Sequence, residues 1–304
     1  MATRCYRGRV PESSASDGKP LLRRGVHFGS YGSVDDGAGV FERLRRAVET
    51  AEEAGFDAVS VPDHLQQNAV GGGPRSPMFE AYTVLGALAM HTTSVRLLAL
   101  VSPVTLRNPA LLAKAVTTLD VLSGGRAVLG IGAGWDASEH DAYGFAFPGV
   151  AERMDRLGEA LQICRALFTG EQASVNGAHY AVREAPNSPR PLGGSIPVLV
   201  AGGGERRTLA LAARYGDACN VAGDAATVRH KFDVLARHCE QIGRDPAEIT
   251  KTVFVLVPDD LTEFGVQLTA LADAGADGAV ALWSTEKGDK IPALGRLLAE
   301  VFPG

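Results

Sequence analysis

The chain has 304 residues, 45% of them hydrophobic and 21% charged, with a formal net charge of −5. That length suits one α/β barrel or two smaller domains, and the hydrophobic share supports a substantial core. The acidic balance argues against a nucleic-acid binder, which usually shows a basic face, and no apolar run reaches the ~20 residues of a membrane span. Cys5, Cys164, Cys219 and Cys239 are scattered without metal-like spacing, which points to structural thiols in a reduced, cytoplasmic protein.

Residues 1–22 differ from the rest. Positions 11–18 are polar and turn-prone, without the apolar stretch of a signal peptide. They read as a disordered tail, which leaves 23–304 as one domain.

From there the chain alternates. A short strand is predicted at 26–28, then a helix at 41–54 with Leu44, Ala47, Val48 and Ala51 at helical spacing. A strand at 58–61, a buried helix at 78–90 and a strand at 95–101 follow. The helix predicted at 109–122 has Asn108 as N-cap and Pro109 at its first position. A strand at 127–131 and an amphipathic helix at 152–168 come next. Between 170 and 195 the rhythm breaks. Asn176-Gly177 signals a hairpin and the run from Pro186 to Pro191 is rich in proline. This segment reads as an insertion, of the kind that often serves as a lid or substrate loop. The alternation resumes with strands at 197–200, 218–221, 252–257 and 278–283, separated by helices at 205–214, 226–242 and 261–274.

Gly55, Gly216 and Gly275 each end a helical run and are followed at once by Asp57, Asp217 or Asp277 and an apolar strand; Gly124-Gly125 varies the theme. Glycine tolerates the left-handed backbone that closes a helix. Short helix-to-strand turns imply parallel strands joined by helices. Eight such strands at this length predict a closed (β/α)8 TIM barrel with the 170–195 insertion outside it. A doubly wound open sheet is the rival. Its early fingerprint is missing, because Gly29-Ser30-Tyr31-Gly32 is not G-x-G-x-x-G.

Barrel chemistry sits at the C-terminal strand ends. After the second strand stand Pro62, Asp63 and His64, where an imidazole could donate a hydrogen bond or take a proton; a capping Asp and a surface His are the plainer alternative. The third strand leads into hydroxyls, including Ser102, and the amide of Asn108, although helix capping accounts for Asn108 by itself. After the fourth, Gly130, Gly132 and Gly134 alternate, so a flat ring could lie against backbone; tight barrel packing explains them equally. The fifth strand ends in Ala201-Gly202-Gly203-Gly204-Glu205, read as opening directly into a helix. Free N–H groups there favour a phosphate, with Arg206 or Arg207 as helpers, over a merely flexible turn. The spacing is not that of a P-loop.

These segments together resemble the luciferase-like monooxygenase superfamily, and within it the coenzyme F420-dependent oxidoreductases. The resemblance runs over residues 25–304 and is carried by Ala54 to Asp57, Pro62-Asp63-His64, Arg107 to Ala110, Leu122 to Arg126, the 130–135 stretch with Glu139 and Tyr143, and Gly202 to Glu205 with Tyr215 to Ala218. It implies a deazaflavin cofactor, with FMN as the alternative. Asp63 and His64 would lie beside the reactive ring, His64 as the catalytic residue. Leu100 would bulge against the central ring, with a non-prolyl cis peptide at Ala99-Leu100. Gly132 and Gly134 would line another edge, and Gly202, Gly203 and Gly204 would bind phosphate. One departure is that the glycine stretch, Ala133-Gly134, lacks the Glu that some members use as proton donor; Asp136 and Glu139 are the nearest carboxylates.

The expected activity is hydride transfer between the deazaflavin and a small organic substrate. The substrate pocket would be built from the 66–77 loop and the 170–195 insertion. Three alternatives stay open: an FMN-dependent monooxygenase, a non-catalytic flavin-binding barrel, and a metal-assisted hydrolase, for which only Asp63 and His64 stand out as ligands. No metal, nucleic-acid or membrane partner is expected, and a homodimer is left open as the assembly.

Overall fold

A computed structural model describes residues 21–32, 37–69, 71–258 and 260–304. Most of the expected tail lies outside the described residues, but its last two positions do not behave as a tail. Leu21 and Leu22 are 8% and 1% exposed. They pack with Ala58, Leu98, Val128, Leu199, Ala218 and Val280 and plug the lower end of the barrel. The Leu21 N–H also donates to Thr250 Oγ1 at 2.9 Å.

The elements run β1 (Arg24–Ser30), α1 (Gly37–Glu53), β2 (Ala58–Val61), α2 (Ala81–Ala89), β3 (Arg96–Ala99), β4 (Ser102–Pro103), α3 (Pro109–Ser123) and β5 (Leu129–Gly132). Then come α4 (Ala137–Tyr143), α5 (Val150–Thr169), β6 (Gln172–Asn176), β7 (Ala181–Pro186), β8 (Val198–Ala201), α6 (Thr208–Tyr215) and β9 (Ala218–Val221). The chain closes with α7 (Ala225–Gln241), β10 (Thr250–Leu256), α8 (Leu261–Asp273), β11 (Gly278–Ser284) and α9 (Ile291–Val301).

The main sheet is parallel, in the order β3-β2-β1-β11-β10-β9-β8-β5-β4. β3 and β4 are two halves of one stave, and a bridge between Leu97 and Ala127 closes the ring. Counted as staves there are eight, as expected. The stave predicted as one strand at 95–101 is broken, and its cis peptide joins Leu100 to Val101 rather than Ala99 to Leu100. Gly130 makes room for the break: a Cβ there would lie 2.1 Å from Ala99 O.

The Gly-x-Asp repeat has a specific physical use. Asp57 donates its N–H to Arg24 O at 3.0 Å, and its carboxylate accepts from Arg24 N at 3.0 Å. Asp217 does the same with Val198, at 2.8 Å in each direction. Asp277 does so with Lys251, at 2.7 Å in each direction. Each Asp thus ties the start of its own strand to the start of the neighbouring one. Gly55 and Gly275 are left-handed, with φ of 81° and 98°. Gly216 is not, since its φ is −82°. It is glycine for space, because a Cβ would meet Ala212 O at 2.8 Å and Ala218 O at 3.0 Å.

β6 and β7 form the predicted hairpin, antiparallel and outside the barrel. Glu159 of α5 accepts from the N–H groups of Ala178, His179 and Tyr180 and pins the turn. The Tyr180 hydroxyl donates to Val104 O at 2.9 Å.

Candidate active site

A cavity of about 690 Å³ opens at the C-terminal ends of the strands. Side chains alternate along each strand, so residues two apart share the barrel interior. One wall comes from the broken stave, β5 and β8: Leu100, Val101, Gly132, Gly134, Ala201 and Gly202. The facing wall comes from β10, β11 and β1: Phe254, Leu256, Leu282, Trp283 and His27. The loop after β2 adds His64, Gln67, Asn68 and Gly71. No residue of the 170–195 insertion lines the cavity, contrary to expectation. Its anchors on α5 and on Val104 hold it to the barrel's flank.

His64 is held by Glu139. Its Nδ1–H donates to Glu139 Oε2 at 3.0 Å, Nε2 has no partner among the described residues, and the residue lines the cavity. Glu139 is 1% exposed, and its other oxygen accepts from the N–H groups of Leu65 and Gln66. Burial pulls the His64 pKa down, but the Glu139 hydrogen bond and the charges of Glu139, Asp136 and Asp63 outweigh it, so the net shift is upward. Glu139 is displaced the other way. Burial raises its pKa, and the His64 and backbone hydrogen bonds overcome that and lower it. The Trp135 ring meets His64 edge-on at 5.5 Å and is itself 63% exposed.

Asp63 does not line the cavity. It is buried and takes a bidentate pair from Arg107, at 2.8 and 2.7 Å. Arg107 also bonds Glu80 and lies over the Tyr82 ring. Ser102 is buried too, with its Oγ 2.8 Å from the Tyr82 hydroxyl. Asn108 accepts from Ala110 N and caps α3, its plainer reading. The Asp63–Arg107 pair braces the loop that carries His64.

The alternating glycines answer first to packing. A Cβ at Gly132 would lie 2.8 Å from Val101 Cγ2, and one at Gly134, where φ is 80°, would lie 2.7 Å from Thr105 Oγ1. At the end of β8, Gly202 takes φ 124° and its N–H donates to Asn220 O. The glycines do not open directly into a helix, because α6 begins only at Thr208 after a turn at 205–207. Among the described residues the N–H groups of Gly203, Gly204 and Glu205 have no acceptor, so the turn still presents donors. Arg206 and Arg207 face away, into a shallow depression beside α5, and Arg207 pairs with Asp155. The cation near the glycines is Lys231, whose Cε would lie 3.5 Å from a Cβ on Gly203. Lys231 Nζ bonds Glu205 Oε1 at 2.6 Å, and that bond holds the Glu205 carboxyl below its usual range.

The family model described as luciferase-like monooxygenase matches residues 24–272. The chain belongs to this family. An F420-dependent glucose-6-phosphate dehydrogenase of Beutenbergia cavernae is 40% identical over 168 residues, 55% of this chain and 48% of that protein. The chain therefore matches about half the length of that relative. A pyrimidine monooxygenase of Pseudomonas savastanoi pv. phaseolicola is 28% identical over 272 residues, covering 86% of this chain and 73% of the relative. Among solved structures, an F420-dependent secondary alcohol dehydrogenase superposes with TM-score 0.77 at 17% identity, covering 93% of this chain and all of the other. That likeness speaks for the fold.

In this member of the family, sequence reasoning missed His27 and Lys231 and named Glu139 without its partner. His27 sits on the cavity floor, paired in register with Ser60. Ser60 Oγ lies 3.3 Å from Val26 O and 3.0 Å from His27 Nδ1; with the Ser60 proton on Val26 O, the His27 Nδ1–H donates to Ser60 Oγ. Nε2 is then a lone-pair acceptor, and it has no partner among the described residues. Burial, then the nearby charge of His64, lowers the His27 pKa to about 3. Strand alternation between outward Val26 and Phe28 could have placed it. Glu139 as the partner of His64, and Lys231 at the glycine turn, had no local signal. His140 also lines the cavity, but both its nitrogens are used, Nδ1–H on Asp136 O and Nε2 from the Thr105 hydroxyl. Among the described residues no group of three or more His, Cys, Asp or Glu is placed to hold a metal, and no helix is long and apolar enough to cross a membrane.

Proposed function

We propose that this protein is an oxidoreductase that transfers a hydride between coenzyme F420 and a small organic substrate bound in the barrel mouth. The observation that carries the reading is His64, fixed at Nδ1 by Glu139 and open at Nε2, facing a wall of Leu100, Gly132 and Gly134. A bound deazaflavin supplies a flat ring that accepts or donates hydride. The chain supplies the rest. The N–H groups of Gly203, Gly204 and Glu205, with Lys231 beside them, suit a phosphate-bearing tail. The Glu139 hydrogen bond and the neighbouring carboxylates raise the His64 pKa and so favour its protonated form. His64 Nε2–H can donate to a substrate oxygen that gains charge, and in the reverse direction Nε2 can take the proton of a hydroxyl. The F420-dependent relatives support this cofactor. The pyrimidine monooxygenase relative supports FMN as a second reading. The same proposal makes the enzyme cytoplasmic, in keeping with the free, buried thiols of Cys164, Cys219 and Cys239.

The test is a side-by-side titration with F420 and FMN. F420 is expected to bind more tightly, with an affinity that falls as salt rises, because exposed charge contacts are screened. Tighter FMN binding, or protein that purifies yellow with FMN, would overturn the cofactor assignment and leave the fold untouched.

A further inference from the structure

The two walls of the cavity differ in chemistry, and the difference bears on the substrate. No Lys or Arg lines the cavity among the described residues. Its charged lining groups are the carboxylates of Asp136 and Glu139 and the imidazole of His64, which Glu139 already pairs. Lys287 and Arg75 belong to flanking segments and are outside the lining; Lys287 lies over the Trp283 ring at 6.0 Å. A substrate phosphate in this space would meet two carboxylates and no free guanidinium or ammonium. Phosphate recognition usually rests on such cations.

The β10–β11–β1 wall is mostly apolar, with His27, Ser30 and Ser284 as its polar lining groups. Phe254, Leu256, Leu282 and Trp283 present hydrocarbon, and the Phe254 ring packs edge-on against His27 at 5.5 Å. His27 is held by a chain of hydrogen bonds from its Nδ1–H through Ser60 to Val26 O. With the Ser60 proton on Val26 O, that chain sets the tautomer that leaves an acceptor at Nε2. A ligand without a donor would leave this acceptor buried and unsatisfied, which is costly.

We propose that the β10–β11–β1 wall receives an uncharged, largely apolar substrate whose hydroxyl or N–H group donates to His27 Nε2. The proposal rests on the oxidoreductase reading only for the identity of the second reactant.

The test is binding to the purified chain, measured by calorimetry with cyclohexanol, cyclohexanone and glucose 6-phosphate as probes. Cyclohexanol should bind about fivefold more tightly than cyclohexanone, the ratio that one net neutral hydrogen bond of ~1 kcal/mol gives. Glucose 6-phosphate should not displace it. In His27→Phe the two ring probes should bind equally, while His27→Gln, which can present an amide oxygen, should keep the preference. Circular dichroism checks each variant. If His27→Phe does not fold, Ser60→Ala carries the test, because freeing the tautomer should bring the ratio toward one. Equal binding by the unmodified chain, a preference that survives the loss of the acceptor, displacement by glucose 6-phosphate, or no binding of either ring probe each overturns the proposal. F420 binding is read separately by fluorescence on the same proteins. Its loss with the probe pattern intact removes the oxidoreductase reading alone; its retention with the pattern inverted removes this inference alone.

Discussion

The two ends of the barrel use acidic side chains differently. At the lower end Asp57, Asp217 and Asp277 each bond backbone groups of the adjacent strand in both directions, over Leu21 and Leu22 packed as a plug. At the mouth, Asp63 and Glu139 bond side chains from distant elements, Arg107 and His64. His64 lines the cavity with His27, and each leaves one ring nitrogen without a partner among the described residues. The lower end uses up its polar groups to join strands. The mouth uses some polar groups to aim others. Substitutions should therefore separate, with stability changing at one end and chemistry at the other.

The largest effect is expected at His64. His64→Ala should lower turnover by about 10²–10⁴-fold, the usual contribution of a positioned acid or base, while F420 affinity changes far less. Full activity in that variant would reduce His64 to a packing residue and erase the contrast.

Next is the reverse experiment. Asp277→Ala leaves the Lys251 N–H without its carboxylate, which should cost roughly 1–3 kcal/mol in urea unfolding. Turnover per folded molecule should not change. A turnover loss as large as the one at His64 would mean that the two ends are not separable.

The pH dependence sharpens the comparison within the mouth. The folded pKa of His64 is raised, so its stabilisation is complete below its ordinary value of 6.5 and is lost as pH rises through the folded value. Glu139 is lowered, so its share is present above its ordinary 4.5 and is lost as pH falls through the folded value. His27 acts in the opposite sense to His64. The unfolded chain takes a proton near 6.5 that the folded chain refuses until about 3, so stability falls on acidification across that window. His27→Phe should flatten this acid limb in a plot of Tm against pH. An acid limb of unchanged slope would show that His27 is not buried as a neutral group.

The smallest effect is at the glycine turn. A Cβ on Gly203 would meet only Lys231, at 3.5 Å, so Gly203→Val should leave Tm unchanged. Its bulk beside the exposed N–H groups should weaken F420 binding by about tenfold, ~1.4 kcal/mol. Undiminished affinity, checked by fluorescence titration, would remove the phosphate role from this turn.

The sequence by itself determined the parts of the molecule governed by near neighbours. Helix-ending Gly55 and Gly275, the Asn108 cap, the hairpin at Asn176-Gly177 and the spacing of apolar residues all act within a few bonds. They sufficed for eight parallel staves, the external insertion and the place of His64 after the second strand. The tertiary structure alone decided what meets across the barrel. Glu139 reaches His64 over 75 positions and Ser60 meets His27 over 33, because strand order and register bring them together. The insertion lies off the cavity because Glu159 captures its turn, and the third stave breaks at Leu100–Val101 where Gly130 admits Ala99 O. Propensity and capping are read along the chain, whereas these contacts exist only once the ring has closed.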